Sequence, residues 1–278
     1  MQKKTLIRFN TAGSVDDGKS TLIGRLLYDS KSVPLDQLKN IENASKKNGY
    51  DYTDLSLITD GLKSEREQGI TIDVAYRYFE TTNKKFIIAD SPGHVQYTRN
   101  MVTAASTADL SLILIDARKG VLSQTKRHLF ISSFINIEKI IVCINKMDLV
   151  DYSEKIFNKI VNQFKNISEK LNFESIIFIP ISALHGDNIV NKTKNMKWYS
   201  ELSLLDILNE IKTSPQYSID NPRFPVQYVI RPRRKNYEDF RGFAGMVENG
   251  VFCSGDEIVV MPSKISSKIK KIFFGKKE

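Results

Sequence analysis

GSVDDGKS, Gly13–Ser20, is the stretch on which the reading of this chain turns. It fits G-x-x-x-x-G-K-[ST], and its flanks suit that pattern: the strand-like LIRFNTA precedes it, and a helical spacing of apolar residues opens at Lys19. A glycine-rich turn between strand and helix aims backbone N–H groups inward, and the start of the helix adds a partial positive charge. Gly13, Ser14, Val15, Asp16, Asp17, Gly18, Lys19, Ser20 and Thr21 are therefore the candidate phosphate contacts. Lys19 is expected at the β- and γ-phosphates, and the Ser20 hydroxyl on Mg²⁺.

Working outward, short apolar runs alternate with amphipathic stretches through the first two thirds of the chain. This is the pattern of a mostly parallel sheet covered by helices on both faces. Six strands are predicted in LIRFNTA, DVAYRYFE, KFIIAD, LSLILIDA, KIIVCIN and SIIFIPIS. Only TTNKK separates the second from the third, so those two should form an antiparallel hairpin at one edge. Helices are expected over Lys19–Leu27, Gln96–Ala105, Gln124–Ser133, Ser153–Leu171 and Leu204–Lys212.

The base is read by a different segment. CINKMD ends an apolar strand with Asn145, Lys146, Met147 and Asp148, the Asn-Lys-x-Asp pattern of guanine-specific phosphate-loop proteins. A carboxylate at Asp148 accepts from guanine N1–H and the 2-amino group, whereas adenine would leave the acceptor unpaired. GTP is thus the expected nucleotide. The stem of Lys146 can cover one purine face, and the turn Ser182–Ala183–Leu184 can bring a backbone N–H to guanine O6.

DSPGHVQYT, Asp90–Thr98, follows the third strand. Asp90 ends that strand and is expected beside the Mg²⁺ shell, and Ser91, Pro92 and Gly93 lead into His94, with the Gly93 N–H facing the γ-phosphate. By itself His94 would read as a solvated turn residue. Placed after a γ-phosphate sensor, it becomes the candidate that orients the attacking water. Thr71, in REQGITID, is the candidate threonine that closes over metal and γ-phosphate. The catalytic set is therefore His94, Lys19 and Thr71, and the metal set Ser20, Thr71 and Asp90. His128 and His185 read as surface residues.

Composition bounds the rest. The chain of 278 residues is long enough for one core domain and part of a second. Cys143 and Cys253 lie far apart and read as small buried residues, and no run suits a signal peptide or a membrane span, so a cytoplasmic protein is expected. The formal charge of +9 comes from scattered lysines, which favours solvated faces over a nucleic-acid surface. Thr213–Arg223, TSPQYSIDNPR, marks a boundary. The expected layout is a GTPase domain over 1–215, a linker over 216–223, and part of an antiparallel β-barrel over 224–278.

With these residues in place, the chain resembles translation-factor GTPases. SVDDGKSTLIGRLLYDS, GITIDVAYRYF, IADSPGHVQYTRNM, IDARKGVLSQTKRH, INKMDLVDYSE and KWYSELSLLDIL are more specifically similar to the GTPase subunits of bacterial sulfate adenylyltransferase. The resemblance implies a heteromer. A separate small catalytic subunit would make adenosine 5′-phosphosulfate and pyrophosphate from ATP and sulfate, driven by GTP hydrolysis here. Asp60–Asp73 and Asp90–Arg99 are the segments expected to switch with the nucleotide. Ser91 and Val95 depart from the Thr and Glu usual in that family, which removes a carboxylate next to His94. Relatives also continue through further barrels, so a truncated or fragmentary product is expected. Two other readings stay open: an elongation-factor-like GTPase that binds tRNA and the ribosome, and a nucleotide-binding regulator with negligible turnover.

Overall fold

The computed structural model describes residues 4–47, 49, 52–59, 71, 73–212, 221–232 and 240–275. It divides into two compact units, Met1–Ile211 and Lys212–Glu278.

In the first unit six strands form one sheet: β1 (Thr5–Gly13), β2 (Ala75–Glu80), β3 (Lys84–Asp90), β4 (Leu110–Asp116), β5 (Lys139–Asn145) and β6 (Ser175–Pro180). Their order is β2-β3-β1-β4-β5-β6. Every pairing is parallel except β2 with β3, which form the expected antiparallel edge hairpin, joined by residues 81–83. Helices α1 (Lys19–Asp29), α2 (Leu35–Lys47), α3 (Thr98–Ala105), α4 (Ser123–Phe134), α5 (Glu154–Ser168) and α6 (Leu204–Glu210) surround it. All seven residues of β4 are buried, so the uninterrupted run LSLILID is a strand covered on both faces.

Element boundaries follow local chemistry. Ser153 caps α5 by accepting from the Ile156 N–H, so this helix starts at Glu154. The expected helix from Gln96 begins as a single 3₁₀ turn, Val95–Tyr97, and becomes α-helical only at Thr98. Helix α2 has no counterpart in the sequence reading. Its LDQLKNIENASKK buries only Ile41 and Ser45, and its few apolar residues, Leu35, Leu38, Ile41 and Ala44, stand among nine polar ones, so the stretch reads as polar overall.

Because β3, β1, β4, β5 and β6 run parallel, their C-terminal ends share one edge of the sheet, the usual ligand edge of open α/β sheets. That edge carries Gly13, Asp90, Asp116 and Asn145.

The second unit contains β7 (Tyr228–Ile230) paired antiparallel with β8 (Gly242–Ala244), and β9 (Glu257–Val260) paired antiparallel with β10 (Ile265–Lys268). Residues 213–220, most of the expected linker, lie outside the described residues. Cys143 is buried as expected. Cys253 corrects the reading, because it sits exposed in the second unit, where short strand pairs enclose little interior.

Candidate nucleotide site

The turn after β1 wraps a cleft of about 280 Å³, lined by Val15, Asp16, Gly18, Lys19, Ser20, Thr21, Thr71, Gly93, His94 and Lys146. The sequence-predicted phosphate, metal and catalytic candidates Lys19, Ser20, Thr71 and His94 thus meet on one surface. Residues 60–70 and 72, the bulk of the first expected switch segment, lie outside the described residues.

The turn is built from its own side chains. Asp17 accepts from the Ser14 N–H through Oδ2 at 2.6 Å, and Gly18 adopts a left-handed φ of 91°. A side chain at Gly18 would put its Cβ 2.4 Å from Asn145 Nδ2, so both the backbone conformation and the space demand glycine. Lys19 bends back to donate to the Gly13 and Ser14 carbonyls at 3.1 and 2.8 Å. Burial lowers its pKa, opposed by the charges of Asp90, Asp17 and Asp16. Gly93 abuts this ammonium, since a Cβ there would lie 2.5 Å from Lys19 Nζ.

Asp90 stands behind the cleft, where its Oδ1 accepts from Thr11 Oγ1 at 3.1 Å. Ser91 is fully buried and donates to the Thr11 carbonyl, while Pro92 is also buried. His94 is only half-buried; its ring faces Tyr97 edge-on at 6.3 Å. Val95 is exposed.

In the Asn-Lys-x-Asp segment, Asn145 is a structural hub. Its Nδ2 donates to the Asp17 carbonyl at 2.8 Å, and its Oδ1 accepts from the Ala183 N–H at 2.9 Å. That N–H, one of those expected at guanine O6, is therefore engaged within the protein. Met147 is fully buried and packs in the core, and Ser182 is buried, its Oγ accepting from the His185 N–H. Lys146 sits in the left-handed region at φ 63°. Asp148 keeps one carboxylate oxygen, Oδ1, buried with no hydrogen-bond partner, while Oδ2 lies 3.9 Å from His185 Nε2.

Three features were missed by sequence reasoning. His128 corrects its expected surface position: it is fully buried on α4, and its Nδ1 accepts from the Gly13 N–H at 3.0 Å. Burial and the nearby charges of Lys19 and Arg127 hold its pKa at about 3, so the ring is neutral. Arg25, on α1, donates to the carbonyls of Ala183, at 3.3 Å, and of Leu184. Asp116 ends β4 and binds both Arg118 and Lys146. Its signal was available, because it closes an apolar strand just as Asp90 and Asn145 do. No such signal marked Arg25 or His128, whose roles depend on pairing across more than a hundred residues.

The family of the elongation factor Tu GTP binding domain matches residues 4–214. The chain is 54% identical over 268 residues to the bifunctional enzyme CysN/CysC of Mycobacterium tuberculosis, covering 96% of this chain and 44% of that protein. It is 54% identical over 273 residues to sulfate adenylyltransferase subunit 1 of Saccharophagus degradans, covering 98% and 57% respectively. It thus spans about half the length of the curated relatives it matches. Among solved structures, the Saccharomyces cerevisiae Ski7 GTPase-like domain bound to GDP and inorganic phosphate superposes with a TM-score of 0.66 at 20% identity, over 95% of this chain and 63% of that one. A bacterial selenocysteine-specific elongation factor gives 0.56 at 24% identity, over 96% and 38%. These two establish likeness of fold.

Proposed function

This chain belongs to the elongation factor Tu GTP-binding-domain family, and on that premise we propose that it binds Mg²⁺ and GTP and hydrolyses the nucleotide as the GTPase subunit of a sulfate adenylyltransferase. The observation that carries the nucleotide reading is Asp148 Oδ1. A buried carboxylate oxygen without a partner costs stability, and the N1–H or 2-amino group of guanine would satisfy it. Adenine offers no such donor, which favours GTP over ATP.

The residues also fit a hard divalent cation. The hydroxyls of Ser20 and Thr71 line the cleft and the Asp90 carboxylate stands behind it, an all-oxygen set suited to Mg²⁺. Held there, the metal would supply positive charge beside the phosphates. The chain's own groups do the rest. Lys19 exchanges its two carbonyl partners for phosphate oxygens, and backbone N–H groups of the turn donate to them. Gly93 lets the backbone approach closely. His94 orients the attacking water by accepting its hydrogen bond.

The sulfate branch rests on the relatives at 54% identity. In this reading GTP hydrolysis drives formation of adenosine 5′-phosphosulfate and pyrophosphate from ATP and sulfate on a separate small catalytic subunit, in the cytoplasm. Among the described residues no helix is long and apolar enough to cross a membrane. Residues 1–215 form the GTPase domain and 224–278 part of a β-barrel domain. The deciding experiment is a sulfurylase assay with the small subunit, with GTP present and absent. GTP-dependent product formation that needs both chains is expected. Activity indifferent to GTP, or binding of aminoacyl-tRNA in place of the small subunit, would overturn the assignment.

A further inference from the structure

We propose that Asp116 is a positioning residue for the base end of the site: it tethers the Lys146 ammonium so that the lysine stem is held ready against a purine face. The inference rests on the guanine-nucleotide reading above and adds to it a residue outside the Asn-Lys-x-Asp segment.

The topology puts Asp116 where this is possible. It is the last residue of β4, in register with Asn145 at the end of β5, so Lys146 is the first residue beyond the neighbouring strand. The Asp116 side chain is fully buried, while that of Arg118 remains about half exposed. Oδ1 accepts from the Arg118 N–H at 2.9 Å and from Arg118 Nε at 3.0 Å. Oδ2 accepts from Arg118 Nη2 at 2.7 Å and lies 3.2 Å from Lys146 Nζ. A buried carboxylate facing one flexible lysine would be poorly compensated, and the planar guanidinium fills its remaining acceptor positions. Burial raises the Asp116 pKa, but the bonds from Arg118 and Lys146 outweigh it and leave a value of about 2, so the carboxylate is ionised throughout the neutral range.

Lys146 itself needs such an anchor. Its left-handed backbone is unfavourable for a residue with a Cβ, and a free lysine stem has many rotamers to lose when a base stacks on it. Fixing Nζ on Asp116 removes much of that rotamer freedom before any ligand arrives. The contrary view is that Asp116 only closes the DARKG turn, in which its backbone carbonyl accepts from the Lys119 and Gly120 N–H groups. In that view its loss would act on stability and not through Lys146.

The test is a double-mutant cycle in GDP affinity on the whole chain: wild type, Asp116→Asn, Lys146→Ala and the double variant. We expect each single change to weaken GDP about tenfold, chiefly through faster release, and Asp116→Asn to add less than about twofold once Lys146 is gone. Losses that multiply in the double variant would overturn the inference. Should Asp116→Asn fail to fold, Lys146→Met serves instead, since it keeps the stem and removes the tether. A GDP affinity equal to wild type in that variant would equally overturn it, and a loss close to that of Lys146→Ala would support it. A wild-type chain that binds no guanine nucleotide would sink the site reading and this inference together, whereas normal GDP binding with an additive cycle would sink only the tether.

Discussion

The side-chain amide of Asn145, at the end of β5, donates to the backbone carbonyl of Asp17 in the turn after β1, at 2.8 Å and across 128 residues of sequence. Its oxygen holds the Ala183 N–H as well, so one buried amide ties three loops together. Asn145→Ala leaves both backbone groups unpaired in the interior. It should cost roughly 2–6 kcal/mol of stability, since each orphaned buried group costs about 1–3 kcal/mol. Urea unfolding in the absence of nucleotide reads this directly, and a loss below about 0.5 kcal/mol would show that the loops stand without it.

A second prediction concerns α1. A Cβ on Gly24 would meet the Leu55 carbonyl oxygen at 2.0 Å, so alanine must push the 3₁₀ turn Leu55–Ile58 off the helix. Alanine's better helix propensity, worth about 1 kcal/mol, is outweighed by overpacking of about 1–3 kcal/mol plus the backbone shift. Gly24→Ala should therefore lower the melting temperature, and a rise would refute the contact.

His128 makes stability depend on pH. Its folded pKa is held at about 3 while the unfolded chain titrates near 6.5, so below 6.5 the unfolded state binds a proton that the folded state refuses. Stability is undiminished above 6.5 and falls as the pH drops toward 3, by up to roughly 1.4 kcal/mol per pH unit. His128→Gln can keep the acceptor for the Gly13 N–H and should flatten that slope between pH 4 and 6.5. Parallel slopes for the two proteins in denaturant titrations would disprove it.

Asp148→Asn exchanges an acceptor for an amide that can donate. Xanthine carries an oxygen where guanine has its 2-amino group, so the variant should turn toward xanthosine nucleotides and lose guanosine affinity by at least tenfold, or about 1.4 kcal/mol. Competition between GDP and XDP gives the ratio. An unchanged ratio would remove Asp148 from the base site.

For His94 the expected signature is kinetic. The side chain is half-buried at the cleft and its ring packs edge-on against Tyr97, so His94→Ala should leave GDP affinity within about twofold while slowing single-turnover GTP hydrolysis roughly a hundredfold. Equal single-turnover rates would return it to an ordinary turn residue.

What the sequence revealed, it revealed through local pattern. The strand before Gly13, the helix at Lys19 and the polar residues that end β3 and β5 all lie within a few positions of the motifs that mark them. The hairpin of β2 and β3 was equally legible from the short stretch between the two runs. Helix α2 was not, because its stripe of Leu35, Leu38, Ile41 and Ala44 is thin and set in a stretch that is polar overall. His128 stayed hidden for another reason: histidine on a helix is ordinarily solvated, and only the close approach of α4 to β1 gives this one a backbone N–H to accept from. Asp116 sat in full view at the end of LSLILID, yet a single carboxylate says nothing of the two cations it will gather.

Arg25 gives the fold a property that neither motif possesses separately. The helix that begins at the phosphate turn also grips, one and a half turns later, the carbonyls of the loop at the opposite end of the cleft. If the proposed nucleotide binds here, grip on its two ends would not be adjustable piece by piece: any tilt of this one rod would be felt at both, and release would become a concerted event.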